Sequence, residues 1–323
     1  MRDLRYLPPH PRTPVTHAAI PRTGLLLGIG AYVSWGLLPL YLRLLRAVPA
    51  LQVVSHRIVW SLILLVGIVL VLRRGRAILN AARGRTLLLL CASAALIAVN
   101  WLVYIWAVQN GHVLEASLGY FINPLVNVAL ALVVLGERIG RIQMAAVAVA
   151  AAGVIALAID GGGAIWISLT LALSFGLYGL IRKVAAIDAL GGLTVETALL
   201  VLPSLGVLAW TGAQGQAAFG HDRSLDLLLI LAGAVTAAPL LMFAAAARRL
   251  PYATIGLLQY IAPTLQFVQA VWLFGEPLRP IHLVAFGAIW AGCALYAWGM
   301  LRRSGGVTAT TSPSPPTAST RPS

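Results

Sequence analysis

Long apolar runs follow one another along almost the whole chain, separated by short segments rich in arginine, glycine and proline. Each run can cross the hydrocarbon core of a bilayer as a helix, which takes about 20 residues. The ten runs cover approximately 24–45, 51–72, 86–108, 113–135, 142–159, 164–181, 192–211, 225–247, 253–274 and 281–301. They are continuous rather than alternating, so the pattern predicts an all-α membrane protein with ten transmembrane helices and not a β-barrel.

The runs divide the chain into four parts. Residues 1–22 hold prolines and arginines without an apolar run. They are predicted to form a basic cytoplasmic tail and not a signal peptide, because the first run starts late and is full length. Residues 23–160 and 161–303 hold five runs each. Residues 304–323 are almost all Ser, Thr, Pro, Gly and Ala and are expected to be disordered, since they cannot bury apolar area.

Composition narrows the function classes. Hydrophobic residues make up 60% of the 323 positions and charged residues 10%, whereas soluble domains are about 45–50% apolar and 25% charged. This balance excludes a soluble enzyme, a disulfide-rich secreted scaffold and a disordered regulator. The two cysteines, Cys91 and Cys293, lie in separate apolar runs and are interpreted as small buried residues rather than as a disulfide.

The distribution of charge indicates orientation rather than a nucleic-acid partner. The formal net charge is +14, but the basic residues lie between apolar runs, so the lipid bilayer is the implied partner. Eighteen of the 23 basic residues fall on the side of the N terminus, four fall on the other side, and Arg57 lies within a run. The positive-inside rule then predicts that both termini are cytoplasmic in a multi-pass protein of the cell (inner) membrane.

The two halves of the chain resemble each other. Three pairs of landmarks match: Gly119–Pro124 with Leu258–Pro263, Gly136-Glu137 with Gly275-Glu276, and Ser34–Leu37 with Ser174–Leu177. Their offsets are 139, 139 and 140 residues. Because five helices is an odd number, the second half would enter the membrane from the opposite side. This inverted repeat is the architecture of many secondary transporters; a duplication kept only for packing in a channel or structural protein is the alternative.

Several longer motifs carry a family resemblance. They are GAYVSWGLLPLYLRLL (30–45), SHRIVWSLILL (55–65), EASLGYFINPLVN (115–127) with LGER (135–138), LALSFGLYGLIRK (171–183), PLLMFAAAARRLPYATIGLLQYIAPTLQF (239–267) and FGEP (274–277). With them the chain resembles the RarD proteins of the EamA branch of the drug/metabolite transporter (DMT) superfamily over about 22–302. The resemblance implies ten helices in two five-helix halves and export of small molecules, with chloramphenicol as a suspected drug substrate.

Ionisable residues inside the runs are candidates for energy coupling, because charge within a membrane is costly. His56 and Arg57 lie in the second run and Glu115 in the fourth, all in the outer third of the predicted bilayer. We hypothesise that Glu115 pairs with Arg57 or His56 and that this charge cluster couples transport to protons; a static ion pair is the alternative. Glu196, near the cytoplasmic start of the seventh run, is expected to pair with Arg182 or Lys183 as a structural contact.

Two polar helix faces point to a central substrate site. Tyr120, Asn123 and Asn127 share one arc of the fourth run, beside the helix-breaking Pro124. The ninth run repeats this arrangement, and its candidates are Gln259, Tyr260 and Gln266, with Pro263 among them. Such interrupted polar helices at matched positions are typical of transporter binding sites; hydrogen bonding between helices without a ligand is the alternative.

Aromatic and amide side chains away from the helix ends could complete a cavity wall. The candidates are Trp35, Asn100, Trp101, Tyr104 and Tyr178. A cavity lined in this way suits a small neutral or amphipathic aromatic compound. Packing or lipid contact is the alternative for each of these residues.

The sequence lacks motifs of other functions. It has no phosphate-binding loop, no HExxH or GxSxG motif and no metal-ligand spacing, so no enzyme activity, cofactor or metal is expected. Three interpretations stay open: a secondary exporter working by alternating access, an uncoupled facilitator or exchanger, and a membrane receptor or scaffold. The Gly24–Gly28 pair indicates close helix packing and leaves a homodimer open.

Overall fold

The computed structural model describes residues 22–135, 141–159, 164–247, 249–250, 254–255 and 258–306. Within those ranges the regular structure is helical and contains no strand. In chain order the helices are α1 (Arg22–Gly36), α2 (Leu38–Leu44), α3 (Ala50–Val71), α4 (Gly75–Ala81), α5 (Gly84–Gln109), α6 (Val113–Leu135), α7 (Arg141–Ile159), α8 (Ile165–Val184), α9 (Ala189–Ala213), α10 (Arg223–Ala247), α11 (Ile261–Val268), a π-helical turn (Gln269–Leu273) and α12 (Pro280–Gly306).

Some predicted features lie outside the described residues. They are the N-terminal tail up to residue 21, the turn at Gly136-Glu137 with Arg138, and residues 307–323 of the C-terminal tail. The last helix α12 continues to Gly306. Residues 304–306, which were expected to begin the disordered tail, are therefore helical.

Each of the ten apolar runs contains helix, and two of them are subdivided. The first run forms α1 and α2, which meet at Leu37 just before Pro39 in the first turn of α2. Proline fits there because the first helical positions have no intrahelical use for a backbone N–H. The ninth run forms α11 and the π-helical turn that follows it.

Among the residues that the structure describes, six helical segments are long and apolar enough to cross a membrane. They are Arg22–Leu44, Ala50–Val71, Gly84–Gln109, Ile165–Val184, Ala189–Ala213 and Arg223–Ala246. Shorter apolar helical stretches cover Met144–Leu157, Ile261–Leu273 and Pro280–Gly292. Leucine, valine and isoleucine side chains are exposed along these helices, as expected of surfaces that face lipid rather than water. Cys91 also lies on such a surface: it is exposed on α5, so the prediction that it is buried was wrong.

The helices of the two halves interleave. Three contacts join helices in corresponding positions: α3 with α9, α6 with α11, and α7 with α12. Six further extensive contacts between the halves come in matched pairs: α1–α10 with α5–α8, α1–α11 with α6–α8, and α3–α10 with α5–α9. Exchanging the first five apolar segments for the second five therefore returns this set of main contacts between the halves, although some smaller contacts have no counterpart.

Glycines at corresponding positions make close contacts between these helices. A Cβ atom on Gly36 would lie 2.6 Å from Leu265, and one on Gly176 would lie 2.6 Å from Val126. These two pairs are related by the offsets of 139 and 140 residues that relate the sequence motifs. Only residues without a side chain allow helices to approach so closely.

The contact between α7 and α12 has the same character. A Cβ on Gly153 would lie 3.1 Å from the carbonyl oxygen of Ala285, and one on Gly292 would lie 2.7 Å from the carbonyl oxygen of Ala146. Gly153 and Gly292 are 139 residues apart, as are Ala146 and Ala285. Each helix thus presents the same small-residue face to the other.

The Gly24–Gly28 pair is used within the chain. A Cβ on Gly24 would lie 2.9 Å from the Cβ of Arg249, and one on Gly28 would lie 2.7 Å from Leu258. The close packing predicted for this pair therefore takes place against residues of the same chain.

Candidate functional site

A buried amide joins three helices near the middle of the molecule. Asn100 of α5 is 1% exposed. Its Nδ2 donates to Ser174 Oγ at 3.0 Å and to the Leu171 carbonyl at 3.1 Å, both on α8. Its Oδ1 accepts from the Tyr120 hydroxyl of α6 at 3.2 Å. Three of the predicted site helices therefore meet at one hydrogen-bonded group, which satisfies an amide that would otherwise be costly in an apolar interior.

Aromatic rings surround this junction. The rings of Tyr104 and Tyr120 are 5.5 Å apart, and Phe175 approaches Tyr120 edge-on at 6.1 Å. The Tyr104 hydroxyl is buried and has no hydrogen-bond partner. On α1, Trp35 packs against Tyr32 and Phe243 in a separate aromatic group. The structure thus brings Asn100, Tyr104 and Tyr120 together but places Trp35 in a neighbouring cluster.

The Arg57 guanidinium of α3 lies against this aromatic junction. Arg57 is 7% exposed, and its guanidinium carbon is 4.5 Å from the centre of the Trp101 ring. Tyr104 and Tyr120 lie close enough to interact electrostatically with the Arg57 guanidinium. So does Tyr41, a residue that the sequence analysis did not single out. Its Nε is buried without a hydrogen-bond partner. The positive charge is therefore held by ring faces.

The predicted charge cluster does not form. Glu115 lies 3.6 Å from Nδ1 of His112, one helical turn earlier, and not beside Arg57 or His56. His56 stacks on Phe219 with ring centres 5.3 Å apart. The hypothesis that Glu115 pairs with Arg57 or His56 was wrong, because a histidine at the end of the preceding turn is the nearer partner.

Glu196 has partners on two neighbouring helices. It is 1% exposed. Its Oε1 accepts from the Ser93 hydroxyl at 2.5 Å, its Oε2 accepts from the Tyr178 hydroxyl at 3.3 Å, and Arg182 Nε lies 3.7 Å from Oε1. The predicted pairing with Arg182 is confirmed. Tyr178, predicted as part of the substrate site, is instead bound to this carboxylate.

The polar face predicted on the ninth run contacts α1. Gln266 donates to the Trp35 carbonyl at 3.2 Å, and Gln269 donates to the Gly36 carbonyl at 2.7 Å. Gln259 is half-buried in the turn before α11. The Tyr260 ring stacks on Phe121 at 6.1 Å.

The polar face of α6 is divided between interior and exterior. Asn123 is buried and its Oδ1 has no hydrogen-bond partner, whereas Asn127 is exposed. These two predicted site residues thus differ in environment although they lie one turn apart. Of these two side chains, Asn123 lies in the interior, where a solute would be bound, and Asn127 does not.

The two prolines do not break their helices in the predicted way. The helical backbone of α6 runs through position 124 without interruption. Pro263 lies in the first turn of α11, where a missing N–H costs nothing, and its carbonyl accepts from Ser117 Oγ at 2.8 Å. The irregular backbone of this segment falls instead on the π-helical turn at Gln269–Leu273.

Glu276 contacts the start of α6, although the sequence analysis noted this residue only as part of a turn. Its carboxylate accepts from the backbone N–H groups of Val113 at 2.8 Å and Leu114 at 2.7 Å, and so caps the start of α6. Burial raises the pKa of Glu276, while the two N–H groups act in the opposite direction. The signal that could have found it is the helix N-terminus itself, which attracts an anion.

Three comparisons with known proteins agree with this arrangement. The model of the EamA-like transporter family matches residues 22–159. Protein RarD of Streptomyces exfoliatus is 48% identical over 87% of this chain and 90% of its own length. An uncharacterized transporter of Pseudomonas aeruginosa is 48% identical over 87% of this chain and 96% of its own length.

A solved crystal structure has a related fold. It covers 91% of this chain and 100% of its own length with a TM-score of 0.56. The two sequences are 18% identical, so this likeness concerns the fold alone.

Proposed function

Since the chain belongs to the EamA-like transporters, within the RarD group of the drug/metabolite transporter superfamily, we propose that it exports small molecules by alternating access. The family supports a multi-pass membrane transporter rather than an enzyme. The direction of transport, the energy source and the substrate are further parts of this proposal.

The proposed architecture is ten membrane helices in two inverted five-helix repeats, with both termini in the cytoplasm. The matched set of helix contacts carries this proposal, because it is unchanged when the two halves are exchanged. The glycine contacts at Gly36 and Gly176 support the same relation at single residues. The excess of basic residues on one side of the predicted helices supports the orientation in the inner membrane.

An inverted repeat gives a physical route to alternating access. The two halves have the same fold, so each can adopt the conformation that the other holds. Exchanging those conformations closes one side of the membrane and opens the other. The translocated molecule would then be held where α3, α5, α6 and α8 meet, at Asn100, Tyr104, Tyr120 and Arg57.

Proton antiport is the proposed energy source. Export against a gradient needs a titratable group that faces the outside in one state, and histidine is the side-chain type whose charge changes most readily near neutral pH. His112 and Glu115 form such a pair at the start of α6. The pair lies at the start of α6, one of the helices of the proposed site, so a change in its protonation would alter how α6 packs.

Flux measured in proteoliposomes tests the proposal. The purified full-length protein would be reconstituted and loaded with chloramphenicol or with aromatic metabolites, with and without an imposed pH gradient. Flux that requires the gradient and is lost in Glu115→Gln would support proton-coupled export. Asp222→Asn, an exposed carboxylate in the loop before α10, is the matched control and should behave as the native protein does.

Other outcomes would replace parts of the proposal. Flux that ignores the gradient would make the protein a facilitator or exchanger and would leave the His112–Glu115 pair a structural contact. A complete absence of flux, for all solutes tested, would favour a receptor or scaffold role instead.

A further inference from the structure

The Arg57 side chain is a buried cation without an acidic partner. The described residues contain three ion pairs: Arg74–Asp188, His112–Glu115 and Arg182–Glu196. Arg57 takes part in none of them, and its buried Nε has no hydrogen-bond partner among the described residues. Arginine is nevertheless a strong donor with five N–H groups.

Such a side chain is costly unless something compensates its charge. A buried charge is normally paired and hydrogen-bonded, and this need is greater inside a membrane. Arg57 lies seven residues into α3, about 10 Å from the start of the helix. The Trp101 ring at 4.5 Å offsets part of the charge, but a ring face accepts no directed hydrogen bond in the plane of the guanidinium.

The neighbouring hydroxyls do not complete the site by themselves. Tyr41 donates its hydroxyl hydrogen to the Leu228 carbonyl at 2.7 Å, and Tyr120 donates to Asn100. Tyr104 keeps a buried hydroxyl without a partner in the part of the chain that the structure describes. Two buried donors without such a partner, Arg57 Nε and the Tyr104 hydroxyl, therefore lie at one aromatic junction.

From this arrangement we infer that Arg57 binds the carboxylate of the transported solute, and that the substrates are small organic monocarboxylates with a flat apolar body. This inference rests on the proposed function and names its substrate class. A guanidinium matches a carboxylate in a planar two-bond geometry. The Tyr104 hydroxyl supplies a further donor, and the rings of Trp101 and Tyr120 provide apolar faces for the rest of the solute.

The charge balance selects a carboxylate over a phosphate. One guanidinium compensates one negative charge, whereas a phosphate ester carries close to two charges at neutral pH. His56, the neighbouring titratable residue on α3, stacks on Phe219 rather than joining Arg57. The inference also changes the neutral or amphipathic solute that the aromatic residues alone suggested.

Binding of phenylacetate, compared with its neutral isostere phenylacetamide, tests the inference. The full-length protein in lipid nanodiscs would be titrated with each compound by calorimetry. We expect the native protein to prefer phenylacetate at least tenfold. Arg57→Gln should abolish that preference by weakening phenylacetate binding, and Arg57→Lys, which keeps the charge but not the fork, should retain part of it.

Arg43→Gln is the matched control. The Arg43 guanidinium also lies over an aromatic ring, that of Phe274 at 4.1 Å, but it is away from the Asn100 junction. This variant loses the same charge and the same type of ring contact, and it should bind phenylacetate within about twofold of the native protein. A tenfold loss in Arg43→Gln would mean that net charge, and not a site at Arg57, attracts the anion.

Two results would overturn the inference: a native protein that binds the amide as well as the acid, or an Arg57→Gln variant that keeps the native preference. If Arg57→Gln fails to fold, Tyr104→Phe takes its place, with an expected fivefold loss for phenylacetate alone. The proposed function fails separately. Carboxylate binding without flux of any solute would reject transport, while flux of neutral solutes alone would reject the carboxylate and keep transport.

Discussion

The two halves of the molecule are alike in how their helices pack and different in how they hold charge. Gly36 and Gly176 make matched contacts, and so do Gly153 and Gly292. At corresponding depths of α3 and α9, however, the first half buries His56 and Arg57 and the second half buries Glu196. The packing of the helices is therefore repeated between the halves, and the buried charges are not.

The two halves differ in whether the buried charge has a partner of opposite charge. The Glu196 carboxylate is bound by Ser93, Tyr178 and Arg182, so its charge is balanced within the protein. Arg57 has ring faces and no carboxylate among the described residues. Loss of one partner of a buried pair is strongly destabilising, whereas a buried cation without an acidic partner leaves its charge for an acidic ligand to compensate. Under the proposed function, the Glu196 network is structural and Arg57 serves recognition.

Removing the Glu196 side chain should have the largest effect on stability. Glu196→Ala leaves Arg182 without its acid and Ser93 and Tyr178 without their acceptor. Loss of one partner of a buried pair costs about 3–5 kcal/mol. Thermal unfolding in detergent would show it as a clear fall in Tm. The Tm of Glu196→Gln should fall less, because its amide oxygen accepts from one hydroxyl and its NH2 group can donate to the other. Equal melting of all three proteins would mean that this network is not structural.

Filling the matched glycine sites should give two equal losses. Gly153→Leu and Gly292→Leu place side chains against the backbone of the facing helix, and overpacking of this kind costs about 1–3 kcal/mol. Gly206→Leu on α9, where an added Cβ meets nothing within 4 Å, is the control. Chemical denaturation measures all three. A large loss at one matched site and none at the other would contradict the equivalence of the halves.

The cap at Glu276 should make stability depend on pH. Burial raises the pKa of this carboxyl in the folded protein, so its contribution is fully present below the unfolded pKa, about 4.3, and is lost as pH rises through the folded value. The Tm of Glu276→Gln relative to the native protein should therefore increase from pH 4 to pH 7. If the difference in Tm between the two proteins stayed the same across this range, burial of Glu276 would not be the cause of a pH-dependent stability.

Neutralising Arg57 should have the smallest effect on stability. Arg57→Met keeps an unbranched apolar stem, although a shorter one, and removes an uncompensated charge. Loss of the ring contact costs about 1–2 kcal/mol, and relief of the buried charge offsets it. Melting within a few degrees of the native protein is the expected result. A fall as large as that of Glu196→Ala would show that Arg57 is structural and that the two halves do not differ.

The sequence was sufficient for the positions of the helices, because continuous apolar runs of membrane length leave few other structures. It was also sufficient for the Arg182–Glu196 pair, since both residues lie near the same short connection. It was not sufficient for Glu115, whose partner depends on how α6 is rotated at its first turn. The cap that Glu276 forms on α6 was not predicted either, because it joins two segments that are more than 160 residues apart.

The prolines show the same limit at the level of the backbone. A proline in an apolar run predicts an interrupted helix only if its position within the helix is known. Pro263 falls in a first turn and causes no break, while the irregular turn at Gln269–Leu273 has no proline to mark it. Helix boundaries inside a continuous apolar run are thus set by tertiary packing that no local pattern records.

Spin-label distances at the two membrane faces would test alternating access most directly. With Cys91 and Cys293 replaced by alanine, one label pair at Ala47 and Arg223 reports the predicted outer face, and a second at Leu79 and Ala186 reports the inner face; all four label positions are exposed. Double electron–electron resonance would be recorded in nanodiscs at pH 5 and 7.5, with and without phenylacetate. Inverted halves predict that one pair separates as the other closes. Two pairs that stay fixed, or open and close together, would contradict it.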